Sequence, residues 1–223
     1  MTIPHIPALR RGQNYTSLDK TEIKSVRTSE VVAEVSQVNA GVIKRDLRRS
    51  TRDAFASFSV AQLLEISKRA GDLFMEGTLP VGDSGTQTPQ DYLESLSATS
   101  GLPYSLIRKN MSKIYEVFTE MPTILSGLTR GMDLEIVDKG AGEQNGVPVS
   151  FFPTTQELGV VLPSNSPGVN SLWMPAIPLK IPVVLKPGRE EPWTPFRIIQ
   201  AFIAAGCPAE VFSFYPTDHE GSG

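Results

Sequence analysis

Between residues 157 and 216 three apolar runs, ELGVVLP, IPVVLKP and EVFSFYP, alternate with two segments of helical character. Each run is short, dense in Val, Leu or Phe and closed by Pro, which reads as a strand. SNSPGVNSLWMPAIPLK lies between the first two and reads as a helix entered at Pro167. TPFRIIQAFIAAG lies between the last two and reads as an amphipathic helix capped by Thr194 and stopped by Gly206. Parallel strands need crossover connections of about this length, so strand, helix, strand, helix, strand predicts a parallel βαβαβ unit in an α/β fold. Open sheets of this type bind ligands beyond the carboxyl ends of their strands, here in the loops beginning at Pro163, Lys186 and Tyr215. A further β-type run, VPVSFFP, precedes them.

The first half has a different rhythm. SVAQLLEISKRAGDLFMEG places Leu63, Leu64, Ile66, Ala70 and Leu73 at helical spacing, with Ser59 able to cap and Gly77 to stop the helix. After the turn-rich TLPVGDSGTQTP, further helices are predicted over 90–97 and 103–120, the second carrying Leu106, Ile107, Met111, Ile114 and Phe118 on one side. Residues 30–43, EVVAEVSQVNAGVI, read as extended, with a helix as the alternative. The expected organisation is therefore a mainly helical region with an early β-type segment over 1–145, then a parallel α/β unit over 146–223.

Charge and cysteine usage exclude several functions. Lys and Arg number 21 against 24 Asp and Glu, a formal charge of -3, so no global positive field draws phosphate backbones or anionic lipid. The basic run KRDLRR at 44–49 is broken by Asp46 and lacks interleaved aromatics, and reads as a solvated helix face rather than a nucleic-acid patch. The single cysteine, Cys207, excludes an internal disulfide and a thiolate-rich metal site. His5 and His219 are far apart and read as ordinary surface residues, so no metal is expected. With neither a signal-peptide core nor a membrane-spanning run, the expectation is a soluble cytoplasmic protein.

The order of motifs in LGVVLPSNSPGVNSLWMPAIPLKIPVVLKPG, then Thr194-Pro195, then AGCPAEVF, resembles the aldehyde dehydrogenase superfamily. A strand ends in a P-x-N-x-P loop at 163–167, Pro175-Ala176 follows in the next helical segment, a second strand ends in Lys186-Pro187, and the later helix finishes at 205–208. The detailed match covers about the last third of the chain. GLPYSLIRKNMSKIYEVF further resembles the acyl-CoA reductase branch, including the bioluminescence reductases.

The resemblance implies that 146–223 is a partial dinucleotide-binding domain, and it implies roles residue by residue. Asn165 stands where an amide donates to the developing oxyanion of a thiohemiacetal, a task suited to a donor that carries no charge; its alternative reading is a turn and helix cap. Lys186 stands where an ammonium hydrogen-bonds the adenosine ribose. Leu162, Pro163 and Ser164 fall where the strand-end backbone meets the cofactor, with Gly188, Arg189 and Glu190 nearby. The family often has an acidic residue three places after the lysine, whereas this chain has Arg189 followed by Glu190. An arginine would neutralise the 2′-phosphate of NADP and a glutamate would accept from the 2′-hydroxyl of NAD, so both cofactors stay open. No G-x-G-x-x-G fingerprint occurs.

The implied chemistry is NAD(P)-dependent oxidation of an aldehyde, or reduction of an acyl thioester, through a cysteine thiolate. Cys207 falls in the AGCP turn, a structural position in the family, so the nucleophile and a water-activating glutamate are expected beyond residue 223, with the sheet incomplete at the C-terminus. The remainder of the enzyme, or a second chain, is then the expected partner, and homo-oligomerisation is implied. The alternative is a non-catalytic binding or assembly module of the same fold, and a weaker one is a scaffold with vestigial likeness.

Overall fold

The structure, a computed structural model, describes residues 3–82 and 85–217. Four short strands come first: β1 His5–Ile6, β2 Ala8–Arg10, β3 Gln13–Tyr15 and β4 Lys20–Lys24. Strand β5, Val31–Ser36, and helices α1, Ala40–Asp46, and α2, Val60–Glu76, follow. A small hairpin, β6 Leu79–Val81 and β7 Gly85–Gln87, leads to helices α3 Pro89–Ser100, α4 Tyr104–Thr119, α5 Met121–Leu128 and α6 Ile136–Lys139. A second hairpin joins β8 Ala141–Gln144 to β9 Val147–Ser150. The final unit comprises β10 Leu158–Val161, β11 Val183–Lys186, α7 Trp193–Ala204 and β12 Phe212–Phe214.

The predicted parallel unit is present. Strands β10, β11 and β12 pair in that order and in parallel, with Val160 opposite Leu185 and Leu185 opposite Phe214. The sheet then continues beyond the predicted unit: β12 pairs antiparallel with β2 through Phe214 and Leu9, and β3 pairs with β2. Arg11 and Gly12, both at positive φ, form the two-residue turn of this hairpin. Glycine is required at 12, because a Cβ there would lie 2.3 Å from the Ala209 carbonyl oxygen. A separate three-stranded sheet has the order β1-β5-β4.

Local signals explain the main helices. Ser59 and Gln62 form a reciprocal capping box at α2, and Thr88 and Asp91 do the same at α3. Helix α2 buries Leu63, Ile66, Ala70 and Phe74, and α4 buries Ile107, Met111, Ile114 and Phe118. These faces meet α7 and the sheet in one aromatic core: Phe118 and Phe202 lie 5.1 Å apart between ring centroids, and Phe202 and Phe212 lie 5.7 Å apart.

Several local expectations are corrected. Residues 30–43 split into β5 and α1, because the Asn39 side chain accepts from the Val42 N–H and starts a helix. VPVSFFP contributes β9, but only to the hairpin with β8. The helix entered at Pro167 is two 3₁₀ turns, Pro167–Leu172 and Met174–Ala176, where a second proline at 175 removes a backbone donor. The KRDLRR run is solvated except at Asp46, which is buried and gripped by Arg10 through contacts of 2.6 Å.

Candidate functional site

The strand-end loops converge on a cleft of about 530 Å³. Leu162, Pro163 and Ser164 leave β10 on one side, Lys186, Pro187, Gly188, Arg189 and Glu190 leave β11 beside them, and Pro216 and Thr217 follow β12. The ends are tied by backbone bonds, from Leu162 N–H to the Lys186 carbonyl at 2.9 Å and from Tyr215 N–H to the Leu185 carbonyl at 2.8 Å. Ser164 Oγ also accepts from the Glu190 N–H at 3.3 Å, joining the two turns.

Gly188 sits where those turns touch. A Cβ built on it would lie 2.6 Å from the Pro163 carbonyl carbon and the Ser164 nitrogen, so the approach is backbone to backbone and closed to any side chain. Lys186 is half-buried and has no carboxylate within ion-pair reach among the described residues. Arg189 and Glu190 lie on the outer rim, their charged groups 4.0 Å apart with side chains 77% and 46% exposed. All seven residues expected to meet a cofactor therefore line one cleft: Leu162, Pro163, Ser164, Lys186, Gly188, Arg189 and Glu190.

Asn165 lies apart from that lining, exposed on the turn that follows β10. Its amide carries no hydrogen bond to the described residues, and the neighbouring Ser166 opens a second groove with Asn110, Lys113 and Gly168. The structure keeps Asn165 next in sequence to the cleft, with its amide unbonded among the described residues.

Sequence reasoning missed the opposite wall and the anchor of the β11 turn. Thr21, Ile23, Val35 and Gln37 come from β4, β5 and the residue after β5, and face the strand ends across the cleft. No local motif announces them, since only the packing of the small sheet brings them there. Glu191 is fully buried, and its Oε1 accepts from both the backbone N–H (2.9 Å) and the hydroxyl of Thr194. The carboxyl group of Glu191 thus caps α7, which begins at Trp193, so the expected cap at Thr194 is corrected.

Cys207 is 4% exposed, and burial pushes its thiol well above the usual range, which leaves it protonated and shielded. His5 is half-buried and shares a 2.9 Å hydrogen bond with Ser36, so it is not a plain surface residue. His219 lies outside the described residues. Among the described residues no group of three or more His, Cys, Asp or Glu side chains is arranged to hold a metal ion. None of the described helices is long and apolar enough to cross a membrane.

No family model matches the sequence, and no curated protein matches it. Solved structures do. An NADP-dependent enzyme from E. coli superposes with a TM-score of 0.75 at 14% identity, over 99% of this chain and 44% of its own. A succinate-semialdehyde dehydrogenase from Burkholderia pseudomallei gives 0.72 at 16% identity, over 99% and 43%. A NAD-dependent benzaldehyde dehydrogenase from Corynebacterium glutamicum gives 0.70 at 18% identity, over 96% and 44%. The chain thus spans under half the length of these structures.

Proposed function

Starting from the fold shared with the amino-terminal portion of aldehyde dehydrogenases, we propose that this chain binds NAD or NADP for an oxidoreductase acting on an aldehyde or acyl thioester. One observation carries the reading: the loops at the carboxyl ends of β10 and β11 meet in a single cleft around a lysine with no carboxylate in ion-pair reach among the described residues and a glycine that admits no Cβ. Those features suit a dinucleotide. Lys186 supplies ammonium donors to ribose hydroxyls or a phosphate, and the Pro163–Gly188 contact leaves backbone, not side chain, beneath the ligand. Arg189 on the rim favours a 2′-phosphate and Glu190 a 2′-hydroxyl, so the pair supports either cofactor.

A bound nicotinamide supplies hydride transfer. In this reading Asn165 donates its free amide N–H to the oxyanion that forms when a thiolate adds to the carbonyl carbon. Cys207 is buried and protonated, so the thiolate comes from residues outside 1–223. The same reading carries a cytoplasmic setting, homo-oligomeric assembly and, through the GLPYSLIRKNMSKIYEVF segment, an acyl-CoA reductase direction.

The test is calorimetric titration of the 223-residue chain with NAD and with NADP, alongside Lys186→Ala. Loss of charge-assisted hydrogen bonds from Lys186 weakens binding by roughly tenfold or more. Absence of binding by either dinucleotide, or equal binding by the lysine variant, refutes the proposal.

A further inference from the structure

The turn that presents Lys186, Gly188, Arg189 and Glu190 to the cleft is followed at once by a carboxylate that turns the other way. Glu191 has no solvent exposure, its N–H donates to the Gly188 carbonyl at 3.3 Å, and its Oε1 accepts twice from Thr194 in the first turn of α7. Thr194 in turn shares a 2.7 Å hydrogen bond with the fully buried hydroxyl of Tyr92 on α3. Trp193, two residues after Glu191, donates its indole N–H to Thr99, also on α3. The cleft turn is thus linked through one side chain to the helical layer behind it.

A helix N-cap needs only one acceptor, commonly a short Ser, Thr, Asp or Asn at the chain surface. Here the acceptor is a full glutamate taken out of water, and its Oε2 has no hydrogen-bond partner among the described residues. The groups around it give no counter-charge. Tyr92 on α3 is reached through Thr194, and the buried Arg197 of α7 donates instead to the carbonyls of Phe74, Gln87 and Gly77. On its own turn, Lys186, Arg189 and Glu190 line the cleft. Stability alone does not call for a buried acid at this point, since an apolar residue and a surface cap would do as well.

We propose that Glu191 is a positioning residue for the cofactor cleft: its inward side chain pins the 187–190 turn to α7 and so fixes where Lys186, Gly188 and Glu190 meet a ligand. The inference rests on the dinucleotide reading for its ligand, but the pinning of the turn stands independently of it. Burial raises the Glu191 carboxyl to about 8, so at neutral pH it acts as a neutral acid. Ionisation above that value places an uncompensated charge beneath the turn and loosens it.

Two measurements on the intact chain separate the inference from the cofactor reading. The first is amide hydrogen exchange of the wild type, Glu191→Gln and Glu191→Ala, read at residues 190, 191 and 194 against α4 as an internal reference. The alanine variant should exchange at least about tenfold faster at those amides with α4 unchanged, and glutamine, which keeps the acceptor, should restore protection. The second is titration with NAD and NADP between pH 6 and 9. Wild-type affinity should fall as pH rises through about 8, glutamine should remove that pH dependence, and alanine should bind about tenfold more weakly throughout. If alanine does not fold, glutamine with its flat pH profile still decides the matter. Should the wild type bind neither dinucleotide, the cofactor reading fails while faster exchange in alanine, or exchange in the wild type that rises above pH 8 more steeply than in α4, upholds the pinned turn. Unchanged exchange in alanine, or a glutamine variant as pH-sensitive as the wild type, overturns the role of Glu191.

Discussion

Adding one methyl group at Gly188 puts the construction of the cleft under direct test. Its Cβ would stand 2.6 Å from the Pro163 carbonyl carbon and the Ser164 nitrogen, against 3.4 Å or more for ordinary contact. The two turns must therefore part by about 0.8 Å, an overpacking that costs about 1–3 kcal/mol. Gly188 is not at positive φ, so backbone strain does not contribute and the whole effect is steric. Separation also stretches the 3.3 Å hydrogen bond from the Glu190 N–H to Ser164, which moves Lys186 and Glu190 relative to the β10 loop. The expected outcome for Gly188→Ala is a lower urea midpoint with unchanged m-value, and dinucleotide affinity reduced about tenfold beyond any loss of folded protein. Gly159, whose Cβ would meet nothing within 4 Å, is the control: Gly159→Ala leaves both quantities within error. A Gly188→Ala variant with wild-type midpoint and affinity refutes the backbone-on-backbone account.

Three further outcomes follow from the core and its ionisable groups. Because the folded state raises the Glu191 carboxyl from its ordinary value of 4.5 to about 8, the native state binds more protons than the unfolded chain in that window. Stability therefore falls as pH rises from about 4.5 to 8, by up to roughly 1.4 kcal/mol per pH unit, and urea melts of Glu191→Gln should be flatter over the same range. Arg197→Met removes the donors to the carbonyls of Phe74, Gln87 and Gly77 and should cost about 3 kcal/mol or more; a urea-melt loss below about 1 kcal/mol contradicts the assigned bonds. Cys207, 4% exposed, should react with a thiol reagent only as fast as the protein unfolds, and Cys207→Ser should keep dinucleotide affinity; fast labelling of native protein contradicts its burial.

The sequence was most informative where physical signals are local. Three apolar runs closed by proline became the parallel strands, and the capping box at Ser59 opened the helix expected there. The loops at Pro163 and Lys186 met in one cleft because the order of strands and crossovers leaves little freedom in a parallel sheet. What escaped notice depends on partners distant in sequence. ALR and QNY are three residues each, too short for a period-2 pattern, and the Arg11-Gly12 turn gains its meaning only from a strand about 200 residues away. The inward turn of Glu191 was not legible, since nothing in GREEPW tells which of two adjacent glutamates is buried. The 3₁₀ turns after Pro167 kept the crossover, although Pro175 denied it the regular helix expected from an entry at Pro167.

The pairing of Leu9 with Phe214 also constrains the order of assembly. Closing a loop of about 200 residues costs more entropy than any contact within the helical layer, although the cost grows only as the logarithm of loop length. Helices α2, α3 and α4 can associate early, but the β2–β3 hairpin has no edge to join until residue 214 has left the ribosome and β12 has been laid beside β11. During synthesis Ala8 and Leu9 of β2, both fully buried in the folded structure, therefore wait in the open. These residues are made long before the strand they pair with, and the interval between is when a chaperone, or another nascent chain, would meet them.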